Sequence, residues 1–166
     1  MSNDQEIKAK FWKAIRSDMT VMLGLAGRNE AHSQPMTAQF DDEDEDGSKG
    51  PIWFFTSSET DLVREMGDGA DATLTFASKG HDLFASVDGR LVRDDGPDRI
   101  DRLWNPFAAA WFEGGRQDPK LRLIRFDAGH GQIWLNENSL FAGFKMLLGA
   151  DPKKDYKDKV TEGAIG

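Results

Sequence analysis

Between Thr20 and Thr56 three apolar, strand-like runs follow one another with no helical pattern between them. That succession constrains the fold more than any other feature. Parallel neighbours need a crossover of a dozen or more residues, usually a helix, so strands joined by loops pair antiparallel. The runs are Thr20–Leu25, Gln34–Phe40 and Ile52–Thr56, the last almost continuously apolar. Pro35 lacks a backbone N–H, which places the second run at a sheet edge or makes it begin there. Before them, Ile7, Phe11, Trp12, Ile15 and Met19 recur at helical spacing opposite Lys8, Lys10, Lys13 and Arg16, predicting an amphipathic first helix.

The later chain keeps the same character. Ser57–Thr60 offers caps for a short helix with Leu62, Val63 and Met66 facing inward and Gly67 and Gly69 ending it. Ala72–Ala77 alternates as a strand. Leu83–Val87 and Leu91-Val92 flank Asp88-Gly89, which reads either as a type I′ hairpin turn or as a bulge in one long strand. Gly96-Pro97-Asp98 opens a helix with Ile100, Leu103, Trp104, Phe107, Ala110 and Trp111 on one face, kinked or divided by Pro106. Leu121–Phe126 and Gly131–Leu135 read as two strands around an Asp127–His130 turn, and a last helix is predicted over 139–148. This is not strict βαβ alternation. It predicts a mainly β protein with some helix: a six-stranded, mostly antiparallel barrel with helices packed outside.

A chain of 166 residues suits one domain with its own core, taken as residues 1–150 with a loosely ordered tail over 151–166. Eleven Phe and five Trp are too many for a disordered chain, and the absence of Cys removes disulfides and thiolate chemistry. The formal charge of −8 comes largely from one run, Asp41–Asp46, outside which the acidic excess is only two. That run reads as a solvated loop. The balance argues against nucleic acid or an anionic membrane surface as partner. With no signal-like start and no run of eighteen apolar residues, the expected location is cytoplasmic, away from any membrane.

Recognisable catalytic and metal motifs are missing. His32, His81 and His130 stand 49 residues apart, so none makes a helical ligand pair, and no metal site is expected. There is no nucleophile elbow, phosphate-binding loop or dinucleotide fingerprint. Any chemistry therefore points to a bound cofactor.

Several stretches, in order, are more specific. They are Gln34-Pro35-Met36, Ile52-Trp53-Phe54-Phe55-Thr56, the strand around Gly89, Leu103-Trp104-Asn105-Pro106, Ala110 to Gly115, Asp118-Pro119 and Leu121 to Trp134. Together, across about residues 7 to 148, the chain resembles the general stress branch of the pyridoxamine 5'-phosphate oxidase-like FMN-binding split barrels. The resemblance implies a six-stranded split barrel, a homodimer, and FMN between subunits. It also implies a bulged continuous strand at Asp88-Gly89. The cofactor contacts it implies are Gln34, Met36, Thr37, Trp53, Phe54, Phe55, Thr56, Thr60, Leu62, Val63, Trp104 and Trp111; plain core packing is the rival role for Trp104 and Trp111.

The chain departs from the family's phosphate-binding pattern at Gln34, at Gln39 and in Thr60-Asp61-Leu62, where relatives carry basic residues. A weakened phosphate grip is expected, recovered in part by Ser57, Ser58, Thr60, backbone N–H groups and Arg64. The function implied is a flavin-binding general stress protein with weak flavin-dependent oxidoreductase activity left open. Oxidation of pyridoxamine phosphate itself is not expected, because no basic site for a second phosphate is visible. The alternative is a non-catalytic dimer that has lost tight flavin binding and takes another ligand or a protein partner.

Overall fold

The computed structural model describes residues 3–27, 31–42, 49–136 and 159–166. The predicted helix 139–148, most of the acidic run and the 150/151 domain boundary lie outside them. Helix α1 spans Asn3–Asp18 and buries Ile7, Phe11, Trp12 and Ile15. Met19, predicted to continue that face, instead takes a left-handed φ of 66° and turns the chain into β1. The strands are β1 Thr20–Leu25, β2 Gln34–Thr37, β3 Ile52–Ser57, β4 Gly69–Ala77, β5 Leu83–Arg93, β6 Leu121–Leu135 and β7 Val160–Ala164. Helix α2 is Asp61–Met66. The predicted kink at Pro106 is a full division into α3 Pro97–Leu103 and α4 Pro106–Trp111.

All pairings are antiparallel, in the order β2-β1-β4-β5-β6-β3, with β7 also on β6. The expected six-stranded barrel is corrected on two counts: the described residues form seven strands, and the sheet does not close. Its two ends, β2 and β3, meet only at an isolated bridge between Gln39 and Trp53. β2 is just four residues long and contains Pro35, so it has few donors with which to zip a further ladder. The seventh strand comes from the tail expected to be loosely ordered. β7 pairs with β6 over His130–Trp134, on the edge where β3 pairs with Leu121–Phe126. Ile165 is buried, and the Trp12 indole N–H donates to its carbonyl at 3.3 Å.

β5 is continuous, and its register with β6 slips between Val87 and Gly89, so the bulge reading holds over the hairpin. A Cβ at Gly89 would lie 2.4 Å from the Asp127 carbonyl oxygen and 2.6 Å from the Phe126 ring. The predicted turn at Asp127–His130 is likewise part of one fifteen-residue strand. Gly and Asp signal a bulge as readily as a turn. Here the slip absorbs the extra residue on β6.

Two apolar clusters result. The main core joins α1 to the inward faces of the sheet, including Leu23, Phe54, Leu74, Leu91 and Phe126. The second packs Trp53 and Phe55 with Leu121 and Leu123 beneath Ile100, Leu103, Ala108 and Phe112. Ile52 and Phe54 thus face one cluster while Trp53 and Phe55 face the other. A strand buried on both sides explains the nearly unbroken apolar run.

Candidate functional site

The open seam between β2 and β3 is where the structure makes its cleft. Gln39 and Trp53 exchange two backbone hydrogen bonds of 2.8 Å each. Residues two apart on a strand direct their backbone groups the same way. Continuing that register would set Thr37 opposite Phe55 and Pro35 opposite Ser57. No ladder forms there: β2 pairs with β1 on its other edge and β3 with β6 on its other edge. A cleft of about 700 Å³ opens between the four residues instead. That volume falls in the range of small-molecule sites, roughly 300–1,000 Å³. The divergence leaves the Thr37 and Phe55 backbone groups facing the cleft with no strand partner.

The remaining walls come from α4 and from the segment preceding β6. Phe107, Trp111 and Phe112 form an aromatic side, with the Phe107 and Trp111 rings 6.4 Å apart. Trp111 is 71% exposed and Phe107 42% exposed, so α4 presents both to the cleft mouth and not to the core. Asn105 sets the position of this helix. Its side-chain oxygen accepts from the Ala108 N–H at 3.0 Å, and its amide nitrogen donates to the Gln39 side-chain oxygen at 3.0 Å and the Leu103 carbonyl at 3.1 Å. One residue thereby caps α4 and ties it to the bridge that ends the seam. Trp104 packs edge-on against Phe55 at 5.8 Å, behind the aromatic wall.

Of the twelve residues singled out from the sequence, seven line this cleft: Gln34, Met36, Thr37, Phe55, Thr56, Thr60 and Trp111. The other five do not. Trp53 and Phe54 are buried in the two clusters, and Arg99 lies over the Trp53 ring at 4.6 Å. Leu62 is 1% exposed in the main core, with Val63 packed against it, and Trp104 supports the wall from behind. Gln39, named as a basic position in relatives, is buried with its side chain committed to Asn105.

Sequence reading missed the charged lining: Glu59, Glu113, Asp118 and Lys120. Lys120 sits 3.2 Å from Glu59. Asp118 accepts from the Lys120 N–H at 2.9 Å and the Gly114 N–H at 3.0 Å, and these two bonds hold its carboxyl below the usual aspartate range. In sequence the Asp118-Pro119 pair reads as a break after the preceding helix and as one of the family-like stretches; its place in the cleft depends on which strand follows it.

The turn before α2 is also closed on itself. The Ser58 N–H donates to the Lys120 carbonyl, the Glu59 N–H to the Ser57 hydroxyl, the Thr60 N–H to the Ser57 carbonyl, and the Val63 N–H to the Thr60 hydroxyl. The Thr60 hydroxyl itself donates to the Ser57 carbonyl at 3.0 Å. Arg64 reaches Asp61 at 3.6 Å and does not line the cleft.

Elsewhere, Asp41 opens the acidic run but is not solvated. It is buried and bridges Arg99 and Arg102 of α3, the second at 2.8 Å. Among the described residues no three His, Asp or Glu side chains converge as metal ligands, and no helix is long and apolar enough to cross a membrane.

Comparison with known proteins agrees with this architecture. A family model described as pyridoxamine 5'-phosphate oxidase like matches residues 6–157. The general stress FMN/FAD binding protein of Xanthomonas citri is 55% identical, with a TM-score of 0.73 over 82% of this chain and 94% of that one. A protein of the general stress family from Xanthomonas campestris pv. campestris is also 55% identical, with a TM-score of 0.74 over 85% and 94%. A general stress protein 26 from Jannaschia sp. CCS1 is 29% identical, with a TM-score of 0.71 over 87% and 90%. No curated protein matches. These relatives carry general stress names and not that of an established pyridoxamine phosphate oxidase, in keeping with the expectation from sequence. The chain belongs to the pyridoxamine 5'-phosphate oxidase-like family, among its general stress proteins.

Proposed function

We propose that this chain is a flavin-binding general stress protein whose seam cleft receives the isoalloxazine ring. One observation carries the reading: the unzipped backbone edge of Thr37 and Phe55, opposite each other across a cleft of ligand size. A flavin ring presents an imide edge, carbonyl, N–H, carbonyl, that replaces the missing rung with its own acceptors and donor. Its faces are planar and apolar, which suits Met36, Phe107, Trp111 and Phe112. The 55% identical Xanthomonas citri protein, FMN/FAD binding by name, supports the same ligand class.

The ring fits; the FMN phosphate does not find a free cation among the described lining residues, since Lys120 is beside Glu59. When bound, the flavin supplies two-electron chemistry, and the protein's part is to hold and shield the ring. The chain pairs with a second copy, in this reading, through its exposed apolar side chains. These are Phe107 and Trp111 on α4, and Met22 and Phe84 elsewhere. Trp53 and Phe55 do not contribute to that surface, because the chain's own α3 and α4 cover them.

Titration of FMN against purified protein tests the reading by quenching of flavin fluorescence. Trp111→Ala should weaken binding about three- to tenfold, the worth of an aromatic contact of roughly 0.5–1.5 kcal/mol. No quenching at millimolar protein and ligand refutes it.

A further inference from the structure

We infer that the cleft selects flavins by their ring alone, and that a terminal phosphate adds no affinity, so riboflavin binds at least as tightly as FMN. The inference rests on the flavin reading above and deepens it. Among the described residues three carboxylates line the cleft, Glu59, Glu113 and Asp118, against one ammonium, that of Lys120. That ammonium is already 3.2 Å from Glu59, and Asp118 is kept ionised by two backbone donors. Taken as a sphere, a 700 Å³ cleft is about 11 Å across, close to the Debye length of ~8–10 Å. A phosphate anywhere within it therefore feels all four charges, whatever the ring's exact pose.

The usual remedy is weak too. Four of the donors in the turn after β3 that would cradle an anion are spent internally: the N–H groups of Ser58, Glu59, Thr60 and Val63 have acceptors within the protein, and those of Asp61 and Leu62 belong to the first turn of α2. Helix α2 is only six residues long and its cap is occupied by Thr60, so it offers no useful dipole end. Arg64, the cation closest in sequence, is held by Asp61. The Xanthomonas citri relative is FMN/FAD binding by name, so the inference concerns order of preference and not exclusion. FMN enters, and its phosphate is tolerated at the mouth without being gripped.

The sign of the salt dependence is the decisive readout. A gripped phosphate loses affinity as salt rises, whereas a repelled one gains it, because screening weakens whichever interaction is present. FMN and riboflavin are titrated separately into the full chain by flavin fluorescence quenching, at low and at raised sodium chloride. Riboflavin should bind at least as tightly as FMN at low salt, and added salt should tighten FMN while leaving riboflavin in place. Glu113→Gln, at an exposed position that does not threaten folding, should raise the ratio of FMN to riboflavin affinity about three- to fivefold, from one unit charge near a dianion at ~8 Å in water. FMN binding tenfold or more tighter than riboflavin, and weakening with salt, overturns the inference while leaving the flavin reading intact. Equal affinities indifferent to salt and to Glu113→Gln also support it, the carboxylates then adding no repulsion of their own. Quenching of neither flavin overturns both together.

Discussion

Replacing Asn105 by Ala removes two things at once, and the structure allows each to be weighed. The first is the N-cap of α4, where the Asn105 side-chain oxygen accepts from the Ala108 N–H at 3.0 Å. Loss of such a cap costs about 1 kcal/mol. The second is the donor to Gln39, whose side chain is buried beside the seam bridge. Leaving a buried acceptor unsatisfied costs about 1–3 kcal/mol. Together the loss is about 2–3 kcal/mol, allowing for partial exposure of Asn105. At ~2–4 °C per kcal/mol for a chain of this size, the melting temperature should fall by about 5–10 °C. Asn105→Asp keeps the cap acceptor, and the Gln39 amide can turn to donate to the new carboxylate, so it should lose less than half as much. Urea denaturation of the three proteins measures the difference through the midpoint at constant slope. A midpoint for Asn105→Ala within a few tenths of a kcal/mol of the parent refutes the reasoning. So would equal losses for Ala and Asp, because then the cap is not what holds α4 in place.

Three further outcomes are expected. Gly89→Ala places a Cβ against the Asp127 carbonyl and the Phe126 ring, neither of which can retreat cheaply; a loss of about 3 kcal/mol in thermal or urea unfolding is expected, and a near-neutral result would mean that the bulge adapts. Leu62→Lys, which places a basic residue where the family resemblance implies one, should destabilise by about 3 kcal/mol or more without improving FMN binding, because Leu62 is core and not cleft; a stable variant with tighter FMN binding would show that the side chain reaches the site. Asp118 should titrate below the ordinary aspartate value of about 3.9, because two backbone N–H groups favour its charged form. With a depressed folded pKa, its contribution to stability is present above that ordinary value and is lost as pH falls through the folded one. Carboxyl NMR titration of Asp118 checks it, and an ordinary midpoint contradicts it.

Much of the local structure was legible because it depends on neighbours in sequence. The helical spacing of Ile7, Phe11, Trp12 and Ile15, the Thr60 cap and the division at Pro106 all rest on contacts within a few residues. The ordered motifs likewise sufficed to name the family, because they record a whole fold at once. Local signals ran out wherever one signal serves two geometries or a residue's role depends on a distant partner. Asp127–His130 has turn chemistry, yet its pairing with β5 makes it a bulge. The last residues look like a polar tail, yet β6 has a vacant edge beyond β3 that β7 fills, with Ile165 reaching the core. Asp41 reads as one more solvated acid until α3 brings Arg99 and Arg102 to it.

The cleft is the clearest instance. Strand propensity identifies β2 and β3, but whether two sheet ends meet depends on the curvature accumulated through four intervening strands. Hence a barrel was the natural expectation and an open seam the result. Local sequence was enough for the first helix, most of the strand positions, their apolar faces and the family. The three-dimensional packing decided where the ladder stops, and so which backbone groups and which of the scattered carboxylates share one cleft, because both are set by contacts between residues far apart along the chain.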